Sequence, residues 1–208
     1  AINKNCKIAV LVSGGVDSSL ALLRLKEQGF TNITAFYLKI WLEDELSFMG
    51  ACPWEQDLAF AEPICQRLGV ELKVVPMQQE YWQTVVKYVV DELKKGHTPS
   101  PDVFCNHYIK FGAFIDKFAR DFDFVATGHY ADVVHLSTPE KDSLKRLSLL
   151  TTSPDRIKDQ TYFLSYLNQA QIQKVLFPLG KFTKEQVRKL AKSADLPAAE
   201  RKDSQGIC

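Results

Sequence analysis

The stretch Ser13-Gly14-Gly15-Val16-Asp17-Ser18-Ser19 constrains this chain more than any other. It follows an apolar run, Ile8 to Val12, of the kind that is buried on both faces in a parallel sheet. Two glycines free the backbone for a tight turn, and Val16, Leu20 and Leu23 then recur at helical spacing up to Gly29. A strand, a glycine turn and a helix N-terminus aim several unpaired backbone N–H groups at one spot. Such a spot attracts phosphate. The plainer alternative is an ordinary strand-to-helix turn capped by Ser13 or Asp17.

A Walker A loop is excluded, because its glycine spacing and its lysine are both absent. The stretch resembles the SGGxDS loop of the ATP pyrophosphatase (PP-loop) superfamily. Members of that superfamily cleave ATP between the α- and β-phosphates and transfer AMP to a substrate oxygen.

Downstream, Ile33 to Leu38 reads as a second buried strand beside the first. The resulting βαβ unit, with its right-handed crossover, opens a doubly wound, mostly parallel α/β sheet of Rossmann-like type with helices on both faces. The connection Lys39 to Trp54 is long. A helix is expected over Gln56 to Leu68, kinked or delayed by Pro63, then a strand over Leu72 to Val75. Trp82, Val85, Val86, Val89 and Leu93 predict a helix facing the core before Gly96.

In His97 to Asn106, Pro99 and Pro101 stiffen a loop that leads into a helix carrying Tyr108, Phe111, Ile115 and Phe118 on one face. Asp102 and Cys105 are thereby expected on a rigid loop at a helix N-terminus, where the dipole favours thiolate. A proline turn, an Asp cap and a buried cysteine explain the same residues without chemistry. Phe124 to Thr127 predicts a fourth strand running into Gly128-His129-Tyr130, on the same sheet edge as the loop. Ser137 to Arg146 reads as a polar surface hairpin leading to Leu147–Leu150, and helices are expected over Gln169–Leu176 and Lys184–Ala194.

Composition bounds the rest. The 208 residues suit one large domain, or one domain plus the start of another, with a core over about 1–150 and a basic helical extension over about 151–208. No apolar run approaches the roughly 20 residues of a membrane helix. Neither a signal peptide nor an initiator methionine opens the sequence. Five cysteines without a C-x-x-C pair point to reduced thiols rather than a zinc site. The net charge of +1 divides unevenly, at −5 over residues 1–140 and +6 over 141–208. A basic C-terminal third suits contact with a polyanion, or is a plain solvated face.

Five segments occur in order: SGGVDSS, TPSPDVFCN, ATGHY, KDQTYFL and RKDSQGIC. Together, from about Lys7 to Cys208, they closely resemble the tRNA-specific 2-thiouridylases, the MnmA/TrmU family. The resemblance implies attachment of AMP to the 2-oxygen of the wobble uridine (position 34), then sulfur transfer from a cysteine persulfide. It implies ATP and Mg²⁺, with Leu11, Val12, Ser13, Gly14, Gly15, Val16, Asp17, Ser18, Leu38 and Gly128 at the nucleotide. Asp17 is the expected metal ligand or, equally, a helix cap. Cys208 matches the persulfide carrier, Cys105 the thiol that releases sulfur by closing a disulfide, and Asp102 the acid or base. Ser100, Pro101 and Asp102 match the segment that meets the target base, and His129, Lys158, Asp159 and Gln160 match tRNA contacts.

The implied partners are tRNAs with Lys, Glu or Gln acceptors and a persulfide donor protein, and no membrane. Bacterial cytoplasm is the default compartment, with mitochondrion or plastid as alternatives. As the alternative that the resemblance leaves open, Asp102, Cys105 and Cys208 would instead supply three ligands to an iron–sulfur cluster with one open iron. Leu11 and Val12 stand where relatives often have Gly or Ala followed by Met or Leu. Family members continue into a central domain and a β-barrel beyond the second cysteine, so weak tRNA binding and a fraying C-terminus are expected. The competing functions are a PP-loop ligase acting on a small molecule, which needs no pair of thiols, and a non-catalytic nucleotide- or tRNA-binding module.

Overall fold

The computed structural model describes residues 2–40, 53–140 and 143–203. Most of the Lys39 to Trp54 connection, Cys52, and the ending Ser204 to Cys208 therefore lie outside the described residues.

Strands β1 (Ile8–Leu11), β2 (Ile33–Lys39), β3 (Glu71–Pro76), β4 (Phe124–Ala126) and β7 (Val175–Leu176) form one parallel sheet in the order β3-β2-β1-β4-β7. Ile8 pairs with Ile33 on one side and Phe124 on the other. The strand order reverses across β1 and β4, so the crevice outside their carboxyl ends is the sheet's switch point. Both the glycine loop and Gly128 lie there.

Because strand side chains alternate, β1 feeds two cores. Ile8, Val10 and Val12 pack with α1 (Val16–Glu27) and α2 (Pro53–Leu68), joined on that face by Val187 and Ala191 of α6 (Lys184–Ser193). Ala9 and Leu11 face the opposite way, toward Phe36, Met77, Ile109 and Phe114. The doubly wound expectation is thereby met. Glycines at positive φ close three helices as the sequence predicts, at Gly29 (+85°), Gly69 (+61°) and Gly96 (+77°).

Four expectations need correction. Helix α2 begins at Pro53, ahead of Gln56, and runs through Pro63 to Leu68. Helix α3 spans 78–94, with a π-helical turn at Trp82–Val86 beside the Thr84 hydroxyl, which donates to the Glu80 carbonyl at 2.7 Å. Its apolar stripe is therefore broken: Val85 is buried, while Trp82 and Leu93 are exposed. Helix α4 spans 101–118 and is π-helical over Cys105–Ala113. The wider π turn changes the phase, so Ile109, Phe111 and Phe114 form the buried face and Tyr108 points outward.

The fourth correction concerns the C-terminal third. The helix expected over Gln169–Leu176 is one turn, α5 (Gln169–Ile172), held by an Asn168–Gln171 capping box. Val175–Leu176 instead supply the fifth strand, pairing with Val125 and Ala126. A two-residue strand carries no periodic signal; the free edge of β4 recruits it. The hairpin is also longer than its polar centre suggests, β5 (Ala131–Glu140) pairing throughout with β6 (Ser143–Thr152).

Candidate active site

The loop after β1 is shaped by backbone and small side chains. Gly14 sits at φ +69°, and a Cβ there would lie 2.2 Å from the Asp57 carbonyl oxygen. Only glycine satisfies both limits. Gly15 is the N-cap of α1 in extended conformation, and no side chain caps it, which disposes of the Ser13 or Asp17 cap. The Ser18 hydroxyl turns back to donate to the Gly15 carbonyl at 3.2 Å and accepts from the Ser13 N–H at 3.1 Å. The first-turn N–H groups of α1 thus lack a side-chain acceptor among the described residues, as an anion site requires. Gly128 closes the crevice from β4, since a Cβ there would come within 2.8–3.0 Å of the Asp17 and Ser18 backbone.

Asp17 points away from the cap and into a charged network. Its Oδ1 accepts from the Tyr130 hydroxyl at 2.7 Å, and both carboxylate oxygens accept from the Lys184 ammonium at 2.8 and 2.9 Å. Tyr130 is fully buried, and burial followed by the Asp17 charge raises its phenol far above the ordinary value. Lys184 also donates to Asp203 at 2.8 Å, and Asp203 takes further contacts from Lys158 (3.0 Å) and Arg188 (2.5 Å). Burial pushes the Asp203 carboxyl up, but the hydrogen bonds and charges of Lys184 and Lys158 overcome this and hold it at about 2. On the loop's other side, Arg201 pairs with Asp57 at 2.5 Å, and Asp57 accepts from the Tyr37 hydroxyl at 2.9 Å.

The second chemistry-bearing segment is helical earlier than expected. Ser100 is the N-cap and Pro101 the first residue of α4, so Asp102 lies in the first turn and Cys105 one turn further in. Cys105 is 2% exposed and shares an apolar cluster with Leu11 and, at its edge, Leu38. The expectation of a thiol at a helix N-terminus is corrected accordingly. Asn106 donates its amide to the Asp102 carbonyl at 3.0 Å, whereas its Oδ1 and the His107 Nδ1 are buried without a hydrogen-bond partner among the described residues. Gln171 donates to the His107 and Phe111 carbonyls.

His129, beside Gly128, shares a 2.7 Å hydrogen bond with the Thr127 hydroxyl. Burial, and then the Lys110 cation, hold its imidazole well below the usual histidine value. It is neutral at pH 7, suited to hydrogen bonding rather than to pairing with phosphate. The KDQ segment turns inward: Gln160 exchanges hydrogen bonds with the Tyr130 backbone (2.9 and 3.1 Å), and Asp159 accepts from Ser153 and Thr161. Leu11 and Val12 are buried beneath the loop.

The structure thus unites Ser13–Ser18, Gly128, His129 and Lys158–Gln160 at one sheet edge. Cys208 falls outside the described residues, and among those described no three metal-ligating side chains converge. Sequence reading missed Tyr130, Lys184, Arg188, Asp57 and Arg201 as site residues, and it used RKDSQGIC only for its cysteine. The signal available was the charge of that segment, a basic pair followed by an aspartate.

The sequence matches the family described as the tRNA methyl transferase HUP domain over residues 6–208. It is 46% identical over 202 residues to the tRNA-specific 2-thiouridylase MnmA of Parabacteroides distasonis, covering 97% of this chain and 54% of that protein. Identity is 45% to the protein of the same name from Porphyromonas gingivalis strain ATCC 33277, covering 97% of this chain and 53% of that protein. The chain spans about half the length of the curated relatives it matches. Among solved structures, it resembles in fold the U34-tRNA thiolase NcsA from Methanococcus maripaludis, which carries a 4Fe-4S cluster (TM-score 0.56, 21% identity, 98% of this chain and 61% of that one). The NMN synthetase of Francisella tularensis is also similar in fold (TM-score 0.53, 14% identity, 96% and 67%). On a family match that runs from Cys6 to Cys208, the chain belongs to the tRNA methyl transferase HUP domain family.

Proposed function

We propose that this chain is the catalytic portion of an ATP-dependent tRNA-uridine 2-sulfurtransferase acting on the wobble uridine. One observation carries the reading: a single ammonium, Lys184, ties Asp17 of the nucleotide loop to Asp203 of the segment that leads to Cys208. The residues that would activate oxygen and those that would deliver sulfur are thereby joined. The names and 45–46% identity of the relatives supply the substrate class.

ATP supplies the leaving group. N–H groups of Gly14–Ser18 stabilise the charge of departing pyrophosphate as AMP joins the uracil 2-oxygen. The terminal sulfur of a persulfide on Cys208 attacks C2 and AMP leaves. The Cys105 thiolate then attacks the Cys208 sulfur, releasing the thiouridine and leaving a Cys105–Cys208 disulfide for a thiol reductant to reset. Asp102 and Ser100–Pro101 border the base, and neutral His129 contacts it by hydrogen bonding. Because Cys105 is buried, its step requires the segment around it to open as the base enters.

Asp17 suits Mg²⁺, since its carboxylate already holds a cation, which the metal would replace. An iron–sulfur cluster on Asp102, Cys105 and Cys208 depends on a third ligand beyond the described residues, and no step is assigned to it. The proposal includes acceptors for Lys, Glu and Gln, a persulfide donor protein, and a cytoplasmic setting. Incubation with ATP, Mg²⁺, a persulfide donor and unmodified tRNA tests it, with thiouridine read by mercury-gel retardation. Retarded tRNA is expected. Methyl incorporation from S-adenosylmethionine, with no thiouridine, would favour the methyl transfer in the family's description instead.

A further inference from the structure

Five rings meet beside the Ser100–Asp102 segment. Phe104 of α4 lies at their centre, its ring centroid 3.9 Å from that of Tyr88 on α3, 5.7 Å from Tyr108 and 5.4 Å from Tyr166. The Phe104 and Tyr108 planes are 15° apart, so these two rings form a short stack. His107 packs edge-on against Tyr108 and Tyr166. The cluster opens to solvent: Tyr108 is 43% exposed and Tyr166 is 59% exposed, and contiguous exposed rings mark interaction sites. The Tyr88 hydroxyl accepts from the Ser100 N–H at 3.3 Å, which ties the rings to the N-cap of α4. On that helix Tyr108 follows Asp102 by six residues, roughly 9 Å along the axis at an α-helical rise. Cations flank the rings in sequence: Lys87 precedes Tyr88, Lys110 follows Tyr108, and Arg156, Lys158 and Lys174 lie on the stretch that carries Tyr166. The acids of that stretch, Asp155 and Asp159, are engaged by N–H and hydroxyl donors.

We propose that Tyr108 and Tyr166, backed by Phe104, Tyr88 and His107, are a stacking platform for an unpaired RNA base next to the one that enters the site. The inference rests on the reading of Ser100–Asp102 as the border of the target base. Drawing one base out of a strand removes the stacking of its neighbours, and an aromatic side chain replaces it. The backing rings hold Tyr108 in one orientation, so little side-chain freedom is lost when a base arrives. An RNA strand uses both features of this surface, its bases on the rings and its phosphates toward the cations. Because every base has a π face, the platform adds affinity without reading sequence.

The test is fluorescence anisotropy of a fluorescein-labelled RNA of about seven nucleotides with a central uridine, titrated with the whole chain without ATP or sulfur donor. A second RNA carries abasic riboses on both sides of that uridine. The abasic RNA should bind the wild type about tenfold more weakly than the intact one. Tyr108→Ala and Tyr166→Ala should each weaken the intact RNA about fivefold and leave the abasic RNA unchanged. Tyr108→Phe, which keeps the ring, should stay near the wild type. Both tyrosines are exposed, so these substitutions open no cavity in the core. Added salt should weaken every combination through the phosphates while preserving the ratio between intact and abasic RNA.

Equal affinities for the two RNAs, or no measurable binding of either, overturn the platform. Alanine variants that bind the intact RNA as the wild type does also overturn it, and leave the rings as a protein-docking surface. Because this readout needs no thiolation, a chain that makes no thiouridine yet prefers the intact RNA through Tyr108 refutes the proposed function alone. A chain that thiolates tRNA but binds both RNAs equally refutes the platform alone.

Discussion

The glycine-loop edge and the Ser100–His107 segment, which the proposed function joins in one reaction, are built on opposite plans. At the loop, polar groups are matched: Ser18 shapes the turn, Asp17 holds Tyr130 and Lys184, and Asp57 holds Tyr37 and Arg201. Along Ser100–His107, the thiol of Cys105 is buried, and Asn106 Oδ1 and His107 Nδ1 are buried with no partner among the described residues. A buried polar atom without a partner costs about 1–3 kcal/mol. The contrast teaches that the loop is organised before any ligand arrives, whereas two buried polar atoms of the cysteine side find no partner among the described residues.

Replacing Cys105 by serine sharpens this contrast most. Thiouridine formation should be abolished, while tRNA-dependent pyrophosphate release persists, because the loop is complete without the thiol. Mercury-gel retardation and a pyrophosphate assay on one preparation read both. Breaking the loop should do the reverse. Gly14→Ala forces a Cβ against the Asp57 carbonyl at positive φ, and pyrophosphate release should fall about 100-fold, the usual consequence of a misplacement near 1 Å.

The second of these variants probes the part that was most legible in the sequence. Strand, loop and helix over Ile8–Glu27 carry their own signals, an apolar run, two glycines and a helical stripe, and they fold as read. The π-helical turns of α3 and α4 were not legible, because an i→i+5 phase shift depends on outside partners such as Gln171 on the freed carbonyls. The network of Asp17, Lys184, Asp203 and Lys158 was hidden for another reason. Its members lie up to 186 residues apart, and lysines and aspartates scattered over two helix starts and two loops give no local pattern.

Lys184→Met tests that network as structure. Removing the ammonium leaves Asp17 and Asp203 without their shared cation, and at this partial exposure the cost should be about 1 kcal/mol, or about 2–4 °C in Tm. A larger loss would show that the loop side depends on this one bridge.

A graded effect is expected on pH dependence. The imidazole of His129 titrates lower in the folded than in the unfolded chain, so between those values the unfolded state binds more protons. Stability should therefore fall as pH drops from 7 toward 5, by at most about 1.4 kcal/mol per pH unit from this residue. His129→Asn should flatten that slope in urea titrations. The depressed Asp203 carboxyl adds a separate loss only below the ordinary aspartate range, on the way to about 2.

The central claim is that the glycine loop transfers AMP to tRNA for sulfur chemistry. Its most direct test uses ATP labelled in the α-phosphate, unmodified tRNA and the Cys105→Ser variant, without a sulfur donor. The predicted result is label bound to tRNA with matching release of pyrophosphate. Label appearing in ADP, or pyrophosphate release that ignores tRNA, would contradict it.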